Sequence, residues 1–205
     1  MILTDIEIRN FCTLKLYMPD GKPMIDPFVE DWWKDWPGPV EEGSISYGLS
    51  AAGYDLRLSP ELLVFKNTSS LVIDPKAFKS GGKEYEAKVF ESITMDKWFD
   101  LPPHSYALVR SYEYIRIPSL LKARCVGKST YARCGVLVNT TPLEPGWEGH
   151  LTIEIGNVSP APARIYAMQG IAQLEFERLS FAPERDYAKR GAKYQGQTGI
   201  TPARA

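Results

Sequence analysis

Histidine is nearly absent from this chain, with His104 and His150 as the two examples, and cysteine is limited to Cys12, Cys125 and Cys134. His104 is followed by Ser105-Tyr106 and His150 by Leu151-Thr152, so neither opens a His-x-Glu, and no two cysteines form Cys-x-x-Cys. The zinc centres that activate water in metal-dependent nucleobase deaminases need both motifs, and they are excluded. An odd, scattered set of thiols also argues against a disulfide framework and for reduced cysteines in the cytoplasm. Charge of one sign is lacking too: 24 Lys and Arg against 25 Asp and Glu leave a formal net charge of −1. No global basic field exists for a nucleic-acid polymer, although a small anion needs only a local patch. The start, Met1-Ile2-Leu3-Thr4-Asp5-Ile6-Glu7, carries acids early and no long apolar run, unlike a secretory signal or a membrane span. Gly127-Lys128-Ser129 lacks the preceding glycine of a Walker A loop, and no Gly-x-Ser-x-Gly elbow supports a serine triad.

What the chain does have is many short apolar or alternating runs: residues 54–58, 62–65, 71–73, 106–109, 114–117, 135–138, 150–155, 165–166 and 171–176. Turn residues separate them, among them Asp74-Pro75, Gly81-Gly82, Pro102-Pro103, Pro118, Pro145-Gly146 and the prolines at 160 and 162. This spacing predicts an all-β fold, a sandwich or barrel, with a few short helices. Residues 4–11 read as one helix, with Thr4 as N-cap and Glu7 as its reciprocal partner. Trp32, Trp33 and Trp36, ahead of Pro37-Gly38-Pro39, predict a second, whose tryptophans serve packing, including packing between subunits. The 205 residues suit one domain over 1–181. After Phe181 the chain turns polar and basic, through Arg185, Lys189, Arg190 and Lys193 to Tyr194-Gln195-Gly196-Gln197-Thr198-Gly199. Two readings of residues 182–205 stay open: a frayed terminus, or a mobile segment that orders over a bound anion.

The chemistry concentrates in Gly127-Lys128-Ser129-Thr130-Tyr131-Ala132-Arg133 and in Pro142-Leu143-Glu144-Pro145-Gly146-Trp147-Glu148-Gly149-His150-Leu151-Thr152-Ile153-Glu154. A glycine turn followed by a lysine, two hydroxyls and an arginine suits a phosphate ester. A carboxylate within an alternating strand suits a general base. By themselves, Glu154 also reads as a solvent-facing strand residue and the 127–133 segment as a turn into an amphipathic helix.

These segments closely resemble the dCTP deaminase family of the trimeric dUTPase-like superfamily. The likeness extends to residues 45–57, 162–167, 170–173 and 193–199, and it is weaker over 14–42 and 79–100. It implies a distorted, jelly-roll-like β-barrel of dUTPase type, forming a homotrimer with active sites between subunits. It implies hydrolysis of dCTP to dUTP and ammonia without zinc, with Mg2+ bound through the triphosphate and no metal ligands of the protein's own. Glu154 takes the position of the catalytic general base and acid. Ser129 and Arg133 take positions that complete the site from a neighbouring subunit. Lys128 and Thr130 would bind phosphate, with Tyr131 and Ala132 in the same segment. Thr152 and Ile153 would read the base through backbone groups, and Glu144 would meet the sugar 3′-hydroxyl. Gln173, Tyr187 and Gln197 would make further nucleotide contacts, the last two from a tail that closes over the triphosphate. Asp55 and Arg57 read as structural, and Trp147 as packing in the turn before the Glu154 strand.

The chain departs from the family in the short turn between Val138 and Trp147 and in the region around Gly81-Gly82. A bifunctional enzyme, a dUTPase, or a non-catalytic nucleotide-binding protein on the same fold are the rival expectations.

Overall fold

The computed structural model describes residues 1–14, 18, 20–31, 43–67, 70–139 and 141–204, the side chains of Ser80 and Gly81 excepted. The predicted Trp32–Trp36 helix lies outside them. The elements run α1 (Asp5–Thr13), β1 (Ile25–Asp26), β2 (Gly48–Ser50), β3 (Gly53–Phe65), α2 (Ala77–Val89), β4 (Phe90–Thr94), β5 (Trp98–Leu101) and β6 (Tyr106–Arg116). They continue with β7 (Leu121–Gly127), α3 (Ser129–Ala132), β8 (Val136–Val138), β9 (Pro142–Leu143), β10 (Glu148–Asn157), β11 (Ala163–Tyr166) and β12 (Gly170–Arg178).

The fold is mostly β, as the short runs predict. The main sheet is antiparallel in the order β8-β10-β6-β3-β12-β7-β9, with β1 on β6 and β2 and β4 on β3; β11 and β5 form a separate pair. Strand β3 joins the two halves of the curled sheet. Residues 54–57 pair with β12, residues 58–64 with β6, and the register slips between Leu58 and Leu62. Pro60 sits in that slip, where a residue without an N–H is tolerated inside a long strand. The sequence shows two runs, 54–58 and 62–65, and the structure joins them in one bulged strand. The 106–109 and 114–117 runs likewise merge in β6.

The core follows from alternation along these strands. Tyr54, Leu56 and Leu58, Val109 and Ile115, Ile153 and Ile155, and Leu174 and Phe176 are buried together, and Leu3 and Ile8 close one end. Helix α1 starts as expected, with the Thr4 N–H donating to the Glu7 carboxylate at 3.1 Å. Residues 71–73 are not a strand. Gly81-Gly82 does not separate strands either: it lies inside α2, where Gly82 breaks the helix with φ of 50°. Phe78 and Val89 of α2 pack on Phe90 and Leu108, forming a smaller second apolar cluster. That cluster stabilises a kinked helix whose glycines would disfavour it alone.

The tail is ordered against β10. The His150 N–H donates to the Gln197 carbonyl at 2.8 Å, and the Gly196 N–H to the Glu148 carbonyl at 2.9 Å. A Cβ at Gly149 would lie 2.8 Å from the Gln197 nitrogen, so only glycine lets the two backbones meet. Tyr187 N–H donates to the Pro145 carbonyl, and Trp147 Nε1–H to the Tyr194 carbonyl at 2.8 Å. Among the described residues no helix is long and apolar enough to cross a membrane.

Candidate active site

Side chains on one face of the sheet sort into rows across the strands. Glu61, Arg110 and Thr152 form a polar row, joined by the Arg110–Glu61 ion pair at 3.0 Å. Leu63, Leu108 and Glu154 form the next row. Phe65, Phe90 and Tyr106 gather beyond it, with ring centroids 4.6 and 5.5 Å apart around Phe65. Glu154 therefore stands between a polar row and an apolar one. Its strand neighbours Ile153 and Ile155 point into the core, as the alternation predicts. Burial beside Leu108 raises the Glu154 carboxyl above its usual range, and a hydrogen bond from Asn139 pulls the other way. Burial first, and then the Glu154 charge, raises the nearby Tyr106 phenol.

The edge of β10 is covered at both ends and open in the middle. Glu148 and His150 bond to the tail, while the Glu154 carbonyl accepts from the Asn139 N–H at 2.9 Å at the β8 end. Thr152 lies between them, and alternation turns its N–H and C=O to the same edge. The β8 pairing covers residues 155–157 and the tail bridge falls at Gly149, so Thr152 lies on the stretch of edge between them. Ile153 has the opposite orientation and faces Val109 of β6. Thr152 thus sits on the open stretch of the edge, and its neighbour Ile153 is set against Val109.

Five of the sequence-predicted residues line one cavity of about 440 Å³: Glu144, Thr152, Glu154, Tyr187 and Gln197. Trp147, Tyr194 and Thr201 line it as well, and Phe65, Phe78, Phe90 and Leu108 make its apolar wall. Its size and its mixed lining suit a small organic ligand. Thr201 N–H donates to Thr152 Oγ1 at 3.0 Å, so the tail roofs the cavity. Residues such as Thr201 escape sequence reasoning because tail docking, not strand periodicity, brings them in.

The second group lies elsewhere. Lys128, Ser129, Thr130, Tyr131, Ala132, Arg133 and Gln173 do not line this cavity. Ser129, Thr130, Ala132 and Arg133 are exposed on α3 and its end. Tyr131 is different: its side chain is buried, and its hydroxyl accepts from the Tyr166 N–H at 3.1 Å. Lys128 Nζ touches the Asp55 carboxylate, which also accepts from Gln173 Nε2 at 3.0 Å. Asp55 is thus tied to the lysine of the phosphate-suited segment, a link no spacing along the chain reveals. Arg57 pairs with the fully buried Glu113 at 2.6 Å, between the rings of Tyr47 and Tyr112. Cys12, Cys125 and Cys134 are free thiols, and burial pushes Cys125 up to about 12. Among the described residues no group of three or more His, Cys, Asp or Glu is placed to hold a metal ion.

A carboxylate raised by burial, in a cavity roofed by the tail of a curled antiparallel sheet, is suited to acid–base chemistry on a small ligand. A profile of the dCTP deaminase-like family matches residues 38–179. The dCTP deaminase of Chlamydia pneumoniae is 55% identical over 160 residues, covering 78% of this chain and 80% of its own. That of Stenotrophomonas maltophilia is 48% identical over 186 residues, covering 90% and 92%. The chain belongs to the dCTP deaminase family. In structure it is similar to the 2′-deoxycytidine 5′-triphosphate deaminase from Agrobacterium tumefaciens, with a TM-score of 0.58 and 15% identity over 87% of this chain. The chain spans about half, 49%, of that protein's length. That likeness concerns the fold.

Proposed function

We propose that the protein hydrolyses dCTP to dUTP and ammonia, with Glu154 carrying the protons. The observation that carries this reading is the placement of Glu154: a half-buried carboxylate in the cavity wall, two residues along β10 from Thr152, which lines the same cavity. Cytosine and uracil differ in the donors and acceptors they present, and the backbone of Thr152 in the cavity wall is suited to reading that difference. Water adds to C4 as Glu154 takes its proton. The proton passes to the ring nitrogen. A second transfer through Glu154 moves the remaining hydroxyl proton to the amine, the C4–N bond breaks, and ammonia leaves a carbonyl behind. A carboxyl raised by burial is suited to both taking and returning a proton near neutral pH.

The remaining roles follow the chemistry of each side chain. Glu144 accepts from the sugar 3′-hydroxyl, and Tyr187 and Gln197 hold the nucleotide beneath the tail. Lys128 and Thr130 bind phosphate oxygens, Gln173 steadies Lys128 through Asp55, and Ser129 and Arg133 serve the reacting centre of a neighbouring copy. The exposure of α3, away from its own chain's cavity, supports that division and a homotrimer built on it. Residues 1–181 form the catalytic domain and 182–205 the closing tail. Magnesium enters as the counter-ion of the triphosphate, held mainly by phosphate oxygens and water.

One observation favours a second reading. Glu144 is another carboxylate in the same cavity, and a water activated there against a phosphate would make the enzyme bifunctional. Incubation with dCTP, nucleotide separation and an ammonia assay distinguish the two. Equal dUTP and ammonia support deamination alone, whereas dUMP and pyrophosphate support the second reading. A Glu154→Gln variant that binds dCTP without turnover supports the assigned base, and a fully active one contradicts it.

A further inference from the structure

Beside its pairing with Leu108 of β6, Glu154 is held by Asn139 through both backbone and side chain. Strand β8 ends at Val138, and Asn139 continues its register so that its N–H donates to the Glu154 carbonyl at 2.9 Å. Its carboxamide also reaches the glutamate, with Nδ2 at 3.4 Å from Oε2. Among the described residues this is the only side-chain hydrogen bond to that carboxylate. Glu154 lines two depressions, the roofed cavity and a second one containing Tyr106, Leu137 and Asn139. Asn139 lies in the second alone.

We propose that Asn139 is a positioning residue for Glu154: it holds one carboxylate oxygen from behind and leaves the other to meet the attacking water. The inference rests on Glu154 as the proton carrier. A general base must sit within hydrogen-bond reach of the proton it takes, and a glutamate has three torsions by which to leave that position. The backbone bond fixes where Asn139 stands, so its short side chain has little freedom to release the carboxylate. An amide N–H also favours the ionised carboxylate over the acid. It offsets part of the effect of burial and keeps Glu154 ready to accept a proton.

Other groups face Glu154 from the elements around it. Tyr106 and, in the next row, the Arg110–Glu61 pair lie across the sheet; Cys125 interacts from β7. Glu144, Tyr187 and Tyr194 share the roofed cavity, and His104 shares the second depression. Glu144→Gln and His104→Gln therefore serve as controls for which group sets the acid side of a pH profile.

The experiment is the pH dependence of kcat for dCTP deamination in the wild type, Asn139→Ala, Asn139→Gln and Asn139→Asp, with folding checked by thermal unfolding. The alanine variant is expected to move the acid limb to higher pH. It loses kcat about tenfold below that limb and less than about threefold above it, with little change in KM. The glutamine variant restores part of the loss, and the aspartate moves the limb further up, because a second carboxylate disfavours ionisation. An unmoved limb, or a loss uniform across pH with no recovery in the glutamine variant, overturns the proposal. A wild type that leaves dCTP intact, or a fully active Glu154→Gln, overturns the reading of Glu154 itself and this inference with it.

Discussion

Strand β10 and helix α3 present their charged side chains in opposite settings. On β10, Glu154 is half-buried in a cavity wall, and no cation of its own chain reaches it among the described residues. On α3 and its end, Ser129, Thr130 and Arg133 are exposed, and Arg133 forms no ion pair among the described residues. A carboxylate's proton affinity can be tuned by burial within one chain, since the sheet supplies the apolar neighbours. An unpaired arginine has no such need and stays in water until a partner arrives. In the proposed trimer, the two regions would make one site where α3 of one copy meets β10 of another.

The largest expected effect tests the first half. Glu154→Gln should lower kcat by about 10³-fold while leaving dCTP affinity within a few-fold, measured by turnover and calorimetry. A variant that loses binding equally would make Glu154 a binding group only. Arg133→Ala should lower kcat by about 10²-fold, and Arg133→Lys should recover little, because a point charge does not replace a planar fork. That variant should leave stability unchanged.

Arg57 sharpens the contrast between an exposed and a buried arginine. Arg57→Met would leave the fully buried Glu113 charge unpaired, at a cost of about 3–5 kcal/mol in urea unfolding. If Arg57→Met and Arg133→Ala were equally stable, the division between structural and reactive charge would fail.

These contrasts were partly legible in the sequence. Alternation around Glu154 predicts its face because Ile153 and Ile155 are apolar, and the Thr4/Glu7 pair predicts the start of α1. The residues from Gly127 to Arg133 announce their ligand chemistry, but not that Tyr131 turns inward to Tyr166, which depends on a strand more than thirty residues away. Gly81-Gly82 reads as a turn because glycine is a poor helix former. Packing of Phe78 and Val89 on Phe90 overrides that local preference. The merging of residues 54–58 with 62–65 escapes for the same reason: Pro60 looks like a strand breaker until a bulge absorbs it. The roof of the cavity was the least legible part, since it rests on backbone bonds between β10 and a polar tail without periodicity.

Two smaller effects probe that roof and the burial of the base. Gly149→Ala places a Cβ 2.8 Å from the Gln197 nitrogen. It should displace the tail and raise KM for dCTP by about tenfold, with a smaller change in kcat. The smallest effect is on stability. The folded-state pKa of Glu154 is raised, so the native state holds its proton more tightly than the unfolded chain. Stability from this group is present below the unfolded value and is lost as pH rises through the raised folded one. Glu154→Gln should therefore raise Tm at about pH 8 and leave it unchanged at about pH 4, by differential scanning calorimetry. Equal shifts at both pH values would remove burial of the charge as the cause.

The measurement that tests the central claim most directly is subunit complementation. Glu154→Gln and Arg133→Ala chains, each nearly inactive alone, are unfolded together, refolded as a one-to-one mixture and assayed for deamination of dCTP. If β10 of one copy works with α3 of the next, about a quarter of the sites in random trimers regain both groups and activity returns to that level. A mixture no more active than its two components would contradict a site shared between copies.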